Sequence, residues 1–304
     1  MKVAVTGGTG FVGRELLHRL AAAGHVLRAW HRAGSDRSGL PTDGSAIEWV
    51  EGELGVVDDA AALVEGCQAV IHAGLWQPGE GFRGAEGDLV EFTRVNLLGT
   101  LQLIEAARRA SVGRFIFVST CAVHEVILED RLLDEAHPLW PLTHYGAHKA
   151  AIEKFVHSYG LGEGYPVCSL RPTGIYGLTQ NVRQSKWYSL VKRIAGGESV
   201  DCQHGGKEVH VSDVAGALEL LLTAPDIAGQ AYSCYDMYIS EYEVAQTACS
   251  LAGSDSVITG QASAPRHQID TSKIRALGMT FGGPALLEET VGQLLAAVTQ
   301  QEAG

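Results

Sequence analysis

The chain has 304 residues, of which 46% are hydrophobic and 19% are charged, a composition typical of a globular protein with one large domain or two. Its net charge of −12 disfavours nucleic acid and anionic membranes as partners, although it permits small anionic ligands. Six dispersed cysteines form no CxxC motif or Cys/His cluster, so we predict no metal site and no disulfide framework. Since MKVAVTGG begins directly with a strand, we predict a cytoplasmic protein without a signal peptide or membrane span.

Short apolar runs alternate with helical patterns over the first 175 residues. We predict strands at 2–6, 26–32, 47–51, 69–73, 114–120 and 166–172. We predict helices at 11–23, 88–110 and 144–160, and a further helix that begins with Asp58 as its N-cap. This alternation predicts an α/β fold, a Rossmann-type doubly wound parallel sheet that is covered on both faces.

After about residue 175 the rhythm changes. We predict helices at 182–196 and 213–223 and a mostly helical stretch with glycine-rich breaks over 236–304. We therefore divide the chain into a Rossmann-type domain, 1–175, to which 209–235 returns, and a smaller substrate lobe, 176–208 with 236–304. The lobe is expected at the carboxyl ends of the strands, where α/β sheets bind ligands.

The segment TGGTGFVG (6–13) places glycines at three-residue spacing between the first strand and the first helix. Gly7 permits a tight turn, Gly10 lets the backbone approach a pyrophosphate, and Gly13 lets helix and strand pack closely. The helix N-terminus, with Phe11 and Val12, then offers free N–H groups to the phosphates. Because the loop lies inside a βαβ pattern, we predict dinucleotide binding rather than a structural turn.

The end of the second strand distinguishes NAD from NADP. An acidic residue there would bind the ribose 2′-hydroxyl of NAD, whereas arginine suits the 2′-phosphate of NADP. This chain has His31 and Arg32, followed by Asp36 and Arg37. The two arginines favour NADP. If Arg32 and Arg37 are only solvated loop charges, or if Asp36 binds the ribose hydroxyl, the same segment would fit NAD.

Two Tyr-x-x-x-Lys pairs occur, Tyr145 with Lys149 and Tyr188 with Lys192. Residues four apart on a helix lie on one face, so a lysine beneath a tyrosine can stabilise its phenolate. Tyr145 begins a helix that follows a strand ending in Ser119-Thr120, at the ligand-binding edge of the sheet. Tyr188 lies beyond the last core strand, so we predict that only Tyr145 is catalytic.

Taken together, these motifs make the chain similar to the extended short-chain dehydrogenases/reductases of the NAD-dependent epimerase/dehydratase family. The resemblance covers nearly the whole chain and is far more specific for the family than for one reaction. It rests on TGGTGFVG (6–13), VEGEL (50–54), IHAG (71–74), VNLLGTLQLIEAAR (95–108), FVSTCAVHE (117–125), YGAHK (145–149), LRPTGIYG (170–177), HVSDVAGAL (210–218) and DTSKIRALG (270–278).

The resemblance implies the roles of individual residues. Tyr145 would be the general acid/base, Lys149 would bind the nicotinamide ribose and lower the pKa of the tyrosine, and Thr120 would hydrogen-bond the reacting oxygen. Asn96 fits either a cofactor contact or a buried, hydrogen-bonded helix residue. Further cofactor contacts are implied for Glu53 (where the family usually has Asp), Leu54, His72, Ala73, Gly74, Pro172 and Ile175.

Three departures from the family pattern bear on the substrate. The arginine that meets the diphosphate of nucleotide sugars is missing, and Lys207-Glu208 stand near its place. Cys121-Ala122 replace the acidic pair of the dehydratases, which disfavours a dehydratase. His124-Glu125 follow Val123 where a Tyr-Gly pair is typical. We predict that the substrate contacts are Trp76, His124, Tyr145 and Arg183, although residues at a loop rim would also fit this pattern.

The sequence therefore predicts an NAD(P)-dependent oxidoreductase or epimerase that transfers hydride at a secondary alcohol or ketone of a small carbohydrate-like molecule. The alternatives are a UDP-sugar type 4-epimerase and a catalytically silent NADP-sensing regulator, which the retained Thr120, Tyr145 and Lys149 disfavour. The resemblance also implies a homodimer. Apolar stripes on two helices permit a dimer interface, although burial of the same side chains under the sheet explains the stripes equally. The stripes are Leu97, Leu101 and Ile104 on the helix predicted at 88–110, and Ala147, Ala151 and Phe155 on the helix that carries Tyr145.

Overall fold

A seven-stranded parallel sheet organises the larger part of the computed structural model, which describes residues 1–41, 46–79 and 84–302. The strands are β1 (Lys2–Thr6), β2 (Val26–His31), β3 (Ile47–Glu51), β4 (Ala69–His72), β5 (Phe115–Val118), β6 (Val167–Pro172), β7 (Gly174–Tyr176), β8 (Val200–Cys202), β9 (Gly205–His210), β10 (Gln230–Cys234), β11 (Met237–Ser240) and β12 (Ile258–Gly260). The helices are α1 (Phe11–Ala22), α2 (Val57–Val64), α3 (Leu89–Thr93), α4 (Gly99–Arg109), α5 (His144–His157), α6 (Tyr188–Ala195), α7 (Val211–Leu221), α8 (Glu241–Ala252), α9 (Ser272–Ala276) and α10 (Gly283–Glu302).

The strand order β10-β6-β5-β4-β1-β2-β3 places the reversal of the chain at β1. From β1 the chain runs outward to β2 and β3, and then returns to the other side of β1 as β4. In this register Thr6 lies opposite His72. The carboxyl ends of β1 and β4 therefore form a topological switch point, where open α/β sheets bind their ligands. The predicted Rossmann-type doubly wound sheet is confirmed.

The sheet is buried because helices cover its faces. Every residue of β4 and β5 is buried, as expected for parallel strands between two helical layers. On one face, Leu63, Leu103 and Ile152 from three different helices pack with Val70 and Phe115 in a single cluster. This cluster fixes α2, α4 and α5 against the strands that precede the candidate catalytic residues.

The chain divides into two compact units. The first comprises Met1–Pro172, Val214–Cys234 and Ile269–Met279, and the second comprises Thr173–Asp213, Tyr235–Gln268 and the chain from Thr280 onward. The second unit has its own core, in which Tyr188, Val191, Val244 and Leu294 are buried together. Residues 269–279, assigned to the substrate lobe by the sequence analysis, cluster with the first unit.

Several predicted elements differ from the structure in detail. The helix after β3 begins at Val57 with Val56 as N-cap, so Asp58 lies in its first turn. A π-helical turn at Arg94–Leu98 divides the helix predicted over 88–110. Such a turn contains one extra residue, which a sequence pattern with a period of 3.6 residues does not reveal. The helix predicted over 182–196 is a short 3-10 turn at Val182–Gln184 followed by α6.

The helical C-terminal region is confirmed, but it also contains small sheets. Strands β11, β9 and β7 form one sheet, and β12 pairs with β8. Three of these strands are only three residues long, which is too short to show an alternating pattern.

Two further features concern the part of the chain that the structure describes. No helix there is long and apolar enough to cross a bilayer. No group of three or more His, Cys, Asp or Glu side chains there is arranged to hold a metal ion.

Packing at Gly13 gives a direct test of the fold. A Cβ at this position would lie 2.0 Å from the Gly7 carbonyl oxygen, a contact that only a backbone shift can relieve. We expect Gly13→Ala to lower the free energy of unfolding in urea by about 1–3 kcal/mol or more, in the range of overpacked sites. In the control Gly113→Ala, the nearest atom would be at 3.7 Å, so stability should hardly change. Equal stability of the two variants would contradict this packing.

Candidate active site

The glycine-rich loop after β1 is shaped by close backbone contacts. Gly7 has a φ of +72°, and a Cβ there would lie 2.7 Å from the Ala73 carbonyl oxygen. The Gly10 N–H donates to the Gly7 carbonyl at 3.0 Å, which closes the turn. Gly10 is also the N-cap of α1, and no side chain caps that helix, so its first N–H groups are left for an anion. The exposed Gly10 and the half-buried Phe11 and Val12 form a cradle suited to a pyrophosphate.

A chain of buried hydrogen bonds joins this loop to β4 and α4. His72 is buried, with Nδ1 2.6 Å from Thr6 Oγ1 and Nε2 2.8 Å from Thr100 Oγ1. Thr100 donates its hydroxyl proton to the Asn96 carbonyl at 2.5 Å, so it accepts from Nε2–H. Thr6 then donates to Nδ1 and accepts from the Gly74 N–H at 2.9 Å. Burial, with a contribution from Lys149, lowers the pKa of His72 to about 3, which keeps the ring neutral.

Asn96 has a structural role in the π-helical turn. Its Oδ1 accepts from the Trp76 N–H at 2.8 Å, and its Nδ2 donates to the Trp76 and Phe92 carbonyls at 2.9 and 3.0 Å. With both amide hydrogens and the oxygen bound to backbone, Asn96 holds the loop after β4. Of the two roles that the sequence allowed, the structure supports the buried, hydrogen-bonded one. Trp76 is half-buried, and its backbone is what Asn96 positions.

The loop after β3 packs against the same turn. Glu53 is exposed, and its N–H donates to the Asp59 carboxylate at 2.9 Å. Leu54 packs against the core. A Cβ at Gly99 would lie 2.7 Å from Gly55 N, so glycine permits this close approach of α4 to the loop. The backbone at Glu53 and Leu54 is therefore held beside the turn that contains Asn96.

The residues predicted to select the cofactor follow β2. Arg32 is exposed, and its guanidinium makes no hydrogen bond or ion pair with any residue that the structure describes. Arg37 lies over Trp49, with Cζ 5.6 Å from the ring centroid. His31 meets the same indole edge-on at 6.2 Å. Arg32, unpaired among the described residues, thus follows β2 directly, and Arg37, His31 and Trp49 form a cation–aromatic cluster.

Arg14, which the sequence analysis did not single out, organises this loop. Its Nε donates to the Thr9 carbonyl at 3.1 Å, and one of its terminal nitrogens donates to the Ser38 carbonyl at 2.7 Å. Arg14 therefore ties the glycine-rich loop to the loop after β2. The Asp36 carboxylate accepts from the Ser38 N–H at 2.8 Å, which turns it toward its own loop.

Thr120 and Lys149 come together at the end of β5. Lys149 is buried, donates to the Val118 carbonyl at 2.8 Å and lies 4.6 Å from the Phe117 ring centroid. Burial lowers the pKa of Lys149 to about 7, and Glu153 opposes the shift only in part. Thr120 accepts from the Ala122 N–H at 3.1 Å, and its hydroxyl proton has no acceptor among the described residues.

Tyr145 lies in the first turn of α5, where the N-cap Thr143 accepts from the Gly146 N–H at 3.1 Å. The tyrosine is half-buried, and Lys149 follows it by one turn on the same helix face. A Cβ at Gly146 would lie 2.6 Å from the Ala122 carbonyl oxygen. This close contact holds the start of α5 against the segment that follows Thr120.

Below this pair lies a buried ion pair. Arg171 and Glu153 are at most 1% exposed, and a terminal nitrogen of Arg171 lies 2.5 Å from Glu153 Oε2. Burial opposes the charge on Arg171, but the adjacent Glu153 carboxylate raises its pKa overall. Ser119 donates to Glu153 Oε1 at 2.5 Å. The pair links β6 to α5, and Ser119 belongs to this network rather than to the ligand side.

The structure gives His124 a different role from the predicted substrate contact. Its Nε2 lies 3.0 Å from an Arg171 terminal nitrogen, and its Nδ1 lies 3.2 Å from the Pro138 carbonyl. Burial, with the Arg171 charge as the next cause, lowers the pKa of His124 to about 3. The neutral ring donates to Pro138 and accepts from Arg171. We therefore assign His124 to this buried network, because both ring nitrogens bind protein groups.

Two of the predicted contacts lie in the second unit. Ile175 is half-buried in β7, and Arg183 is exposed in the 3-10 turn. Glu208 is buried in β9 and accepts from Lys186 at 2.5 Å, so Lys186 is already paired. Burial raises the pKa of Glu208 against the opposing effect of Lys186. In the first unit, Pro172 ends β6 and is buried.

The other Tyr-x-x-x-Lys pair also lies in the second unit. Tyr188 is 6% exposed and belongs to the core of that unit, while Lys192 is exposed. This arrangement is typical of an amphipathic helix that buries one face. It supports the interpretation that Tyr188 serves packing.

A known protein family matches most of the chain. The model of the NAD dependent epimerase/dehydratase family matches residues 3–234. The protein belongs to this family. Its glycine-rich loop, Thr120 and the Tyr145/Lys149 pair all lie within the matched region, which confirms the family predicted from the sequence.

Curated relatives of the epimerase/dehydratase chain include dehydrogenases and reductases. It is 27% identical over 245 residues to a 3-beta-hydroxysteroid dehydrogenase of Mycolicibacterium neoaurum, covering 77% of this chain and 65% of the relative. It is 34% identical over 182 residues to a 4-hydroxy-2-methyl-3-oxo-4-farnesyl-3,4-dihydroquinoline-1-oxide ketoreductase of Stigmatella aurantiaca, covering 58% and 51%. The chain thus spans between half and two thirds of the length of these two relatives.

Solved structures share the fold over the whole chain. A UDP-glucose 4-epimerase of Thermus thermophilus in complex with NAD superposes with a TM-score of 0.77 at 24% identity, covering 98% of this chain and 99% of that one. A UDP-N-acetylglucosamine 4-epimerase of Methanobrevibacter ruminantium superposes with a TM-score of 0.80 at 17% identity, covering 99% and 98%. At these identities the likeness concerns the fold.

The low pKa of Lys149 predicts a particular dependence of stability on pH. In the unfolded chain this lysine stays protonated up to about pH 10.5, whereas in the folded protein it loses its proton near pH 7. Its positive charge therefore opposes folding at every pH below 10.5, and the free-energy cost is greatest below pH 7. We expect the stability of Lys149→Met relative to wild type to be greatest below pH 7. The difference should fall by up to about 1.4 kcal/mol per pH unit between pH 7 and 10.5. Thermal unfolding at a series of pH values measures this.

The control is Lys154→Met, which removes an exposed lysine from the same helix. Its stability difference from wild type should be nearly constant from pH 7 to pH 10.5. A constant difference for Lys149→Met as well would contradict the burial of a titrating ammonium.

Proposed function

We propose that this protein is an NAD(P)-dependent oxidoreductase that moves hydride between a nicotinamide cofactor and a secondary alcohol or ketone. The observation that supports this most directly is the buried Lys149 one turn beyond the half-buried Tyr145, on a helix whose first turn packs against the segment that follows Thr120. A buried ammonium on the same helix face as a tyrosine has little structural value, because burying it is costly. It does have value in acid–base chemistry, since it favours the phenolate.

In the proposed mechanism, Thr120 and Tyr145 hold the substrate oxygen. The Thr120 hydroxyl, which has no acceptor among the described residues, donates a hydrogen bond to that oxygen. The Tyr145 phenolate takes the proton of the substrate hydroxyl during oxidation and returns it during reduction. Lys149, whose pKa of about 7 lets it gain or lose a proton near neutral pH, stabilises the phenolate. The bound nicotinamide supplies the hydride acceptor or donor.

The residues of the first unit fit a dinucleotide. Gly7 and Gly13 permit close backbone contacts that a Cβ would break, and the start of α1 has no side-chain cap, so its first N–H groups are available to a pyrophosphate. Arg32 would hold a 2′-phosphate, because its guanidinium is exposed and unpaired among the described residues. Asp36 already accepts a bond from Ser38. These features favour NADP over NAD.

For the substrate, we propose a small carbohydrate-like or cyclic alcohol without a nucleoside diphosphate. The segment before His210 carries the buried Glu208, and Lys186 is already paired with it. Because Glu208 neutralises Lys186, this pair offers no net positive charge to a diphosphate. The names of the two curated relatives, a hydroxysteroid dehydrogenase and a ketoreductase, support an alcohol or ketone substrate. Trp76 and Arg183 remain our proposed substrate contacts.

A UDP-sugar 4-epimerase is the second candidate. The chain is 28% identical over 193 residues to a UDP-glucose 4-epimerase of Rhizobium meliloti, covering 61% of this chain and 55% of the relative. The same acid–base pair would serve such a reaction, because oxidation of a secondary alcohol is its first step. The carboxylate of Glu208 argues against the diphosphate that this substrate carries.

We also propose a cytoplasmic homodimer. All six cysteines are free, which fits a reducing compartment. On the helices that carry the apolar stripes, Leu98 and Phe155 are 48% and 40% exposed. Ile104, by contrast, is fully buried in the core, so it cannot contribute to an interface.

The proposed role of Tyr145 is tested by removing its hydroxyl. In a screen of polyols, aldoses, sugar acids, hydroxy acids and hydroxysteroids with NAD and NADP, we expect wild type to reduce one of the cofactors. Tyr145→Phe should lose about 10²–10⁴-fold in turnover, the usual contribution of acid–base catalysis, while its Kd for the cofactor stays the same. The matched control is Tyr188→Phe, the same change in the other Tyr-x-x-x-Lys pair. Unimpaired turnover by Tyr145→Phe would refute the assignment.

The proposed cofactor preference is tested at Arg32. We expect Arg32→Ala to raise the Kd for NADP about 10-fold or more, since a charged hydrogen bond to phosphate is worth about 1.5–3 kcal/mol, and to leave the Kd for NAD unchanged. Arg131→Ala, at an exposed arginine paired with Asp130, is the control for net charge. Calorimetric titration of each variant with both cofactors measures the difference. A parallel change for NAD and NADP would contradict selection by Arg32.

A further inference from the structure

Glu125 makes three hydrogen bonds to the residues that begin the Tyr145 helix. Its Oε2 accepts from the Leu142 N–H at 2.5 Å, from the Thr143 N–H at 2.9 Å and from the Thr143 hydroxyl at 3.1 Å. Glu125 lies 18 residues before Thr143, in the segment that follows Thr120. One carboxylate oxygen therefore connects two separate stretches of the site.

The same pattern occurs elsewhere in the chain as a local capping box. At the start of α8, Glu243 Oε2 accepts from the N–H and the hydroxyl of the N-cap Ser240, at 2.8 and 2.6 Å. There the glutamate is three residues after the cap, as is usual. In α5 the equivalent position is Gly146, which has no side chain to perform this role. Glu125, 18 residues away in the sequence, makes to the N–H and hydroxyl of the N-cap Thr143 the two bonds that a glutamate at position 146 would make.

Gly146 cannot be replaced by a local glutamate without loss of packing. A Cβ there would lie 2.6 Å from the Ala122 carbonyl oxygen and 2.8 Å from Pro141 Cβ. The segment after Thr120 thus touches the first turn of α5 directly at Ala122 and bonds to its cap through Glu125. Val126 N–H, which donates to the Trp140 carbonyl at 3.0 Å, makes a third connection between the two stretches.

We propose that Glu125 is a positioning residue, a remote capping carboxylate that sets the place of Tyr145 relative to Thr120 and Lys149. A cap confined to α5 would stabilise the helix alone. This one also fixes the helix start to the strand-end segment that carries Thr120. The inference rests on the proposed function, in which those residues act together on one substrate oxygen.

The test measures the ionisation of Tyr145 in the NADP-saturated protein by NMR of ¹³C-labelled tyrosine, with Tyr145→Phe to assign the signal. In wild type, the coupled titration of Tyr145 with Lys149, together with the positive charge of bound oxidised NADP, should hold the midpoint of the Tyr145 titration below the usual value of about 10. In Glu125→Ala, the midpoint should move back toward that value, and kcat should fall about 10-fold or more with little change in KM. Glu125→Gln keeps an oxygen that can accept the same bonds, so it should restore most of both properties.

The control is Glu243→Ala, which removes the equivalent glutamate of α8. It should lower Tm about as much as Glu125→Ala does, and leave the Tyr145 midpoint and kcat at wild-type values. If Glu125→Ala also leaves both unchanged, Glu125 is only a helix cap and the proposal fails. If the wild-type midpoint is itself ordinary, the assigned function of Tyr145 fails first, so the two failures are distinct.

Discussion

Burial of the Lys149 ammonium is the constraint on which the rest of the site depends. The side chain is 5% exposed, and its hydrogen bond goes to a strand carbonyl, that of Val118. Moving an ammonium out of water is costly, and the fall of its pKa to about 7 expresses that cost. The neighbouring structure supplies partial compensation through the Phe117 ring and the more distant Glu153 carboxylate. The remaining cost is accounted for if the ammonium stabilises a phenolate during turnover.

The cofactor side depends on a second constraint, the close approach of backbones at the switch point of the sheet. Gly7 meets Ala73, and Gly13 meets Gly7, at distances that exclude a Cβ. The neutral His72, hydrogen-bonded to Thr6 and Thr100, then fixes the ends of β1 and β4 to α4. These features leave the glycine-rich loop with a defined shape, so a ligand would meet a cradle that is already formed.

Much of this arrangement could be predicted from the sequence, because it depends on short-range patterns. Apolar runs predicted the strands of the large sheet, glycine spacing predicted the turn after β1, and the strand ending in Thr120 separated Tyr145 from Tyr188. What could not be predicted depends on contacts between distant residues. The hydrogen bond between His124 and Arg171 joins residues that are 47 positions apart, which no short-range pattern reveals. The His72 chain needs the register of β1 against β4, and the π-helical turn at Asn96 has no 3.6-residue signature.

The central claim, hydride chemistry at a secondary alcohol, is tested most directly by the fate of an isotope. An alcohol that the enzyme oxidises would carry deuterium on its carbinol carbon, and mass spectrometry would follow the label over one turnover. The account predicts that the deuterium stays in the pool of product and cofactor, and that only the hydroxyl proton exchanges with water. Release of the carbon-bound deuterium into solvent would contradict it, because that outcome requires removal of a proton rather than a hydride.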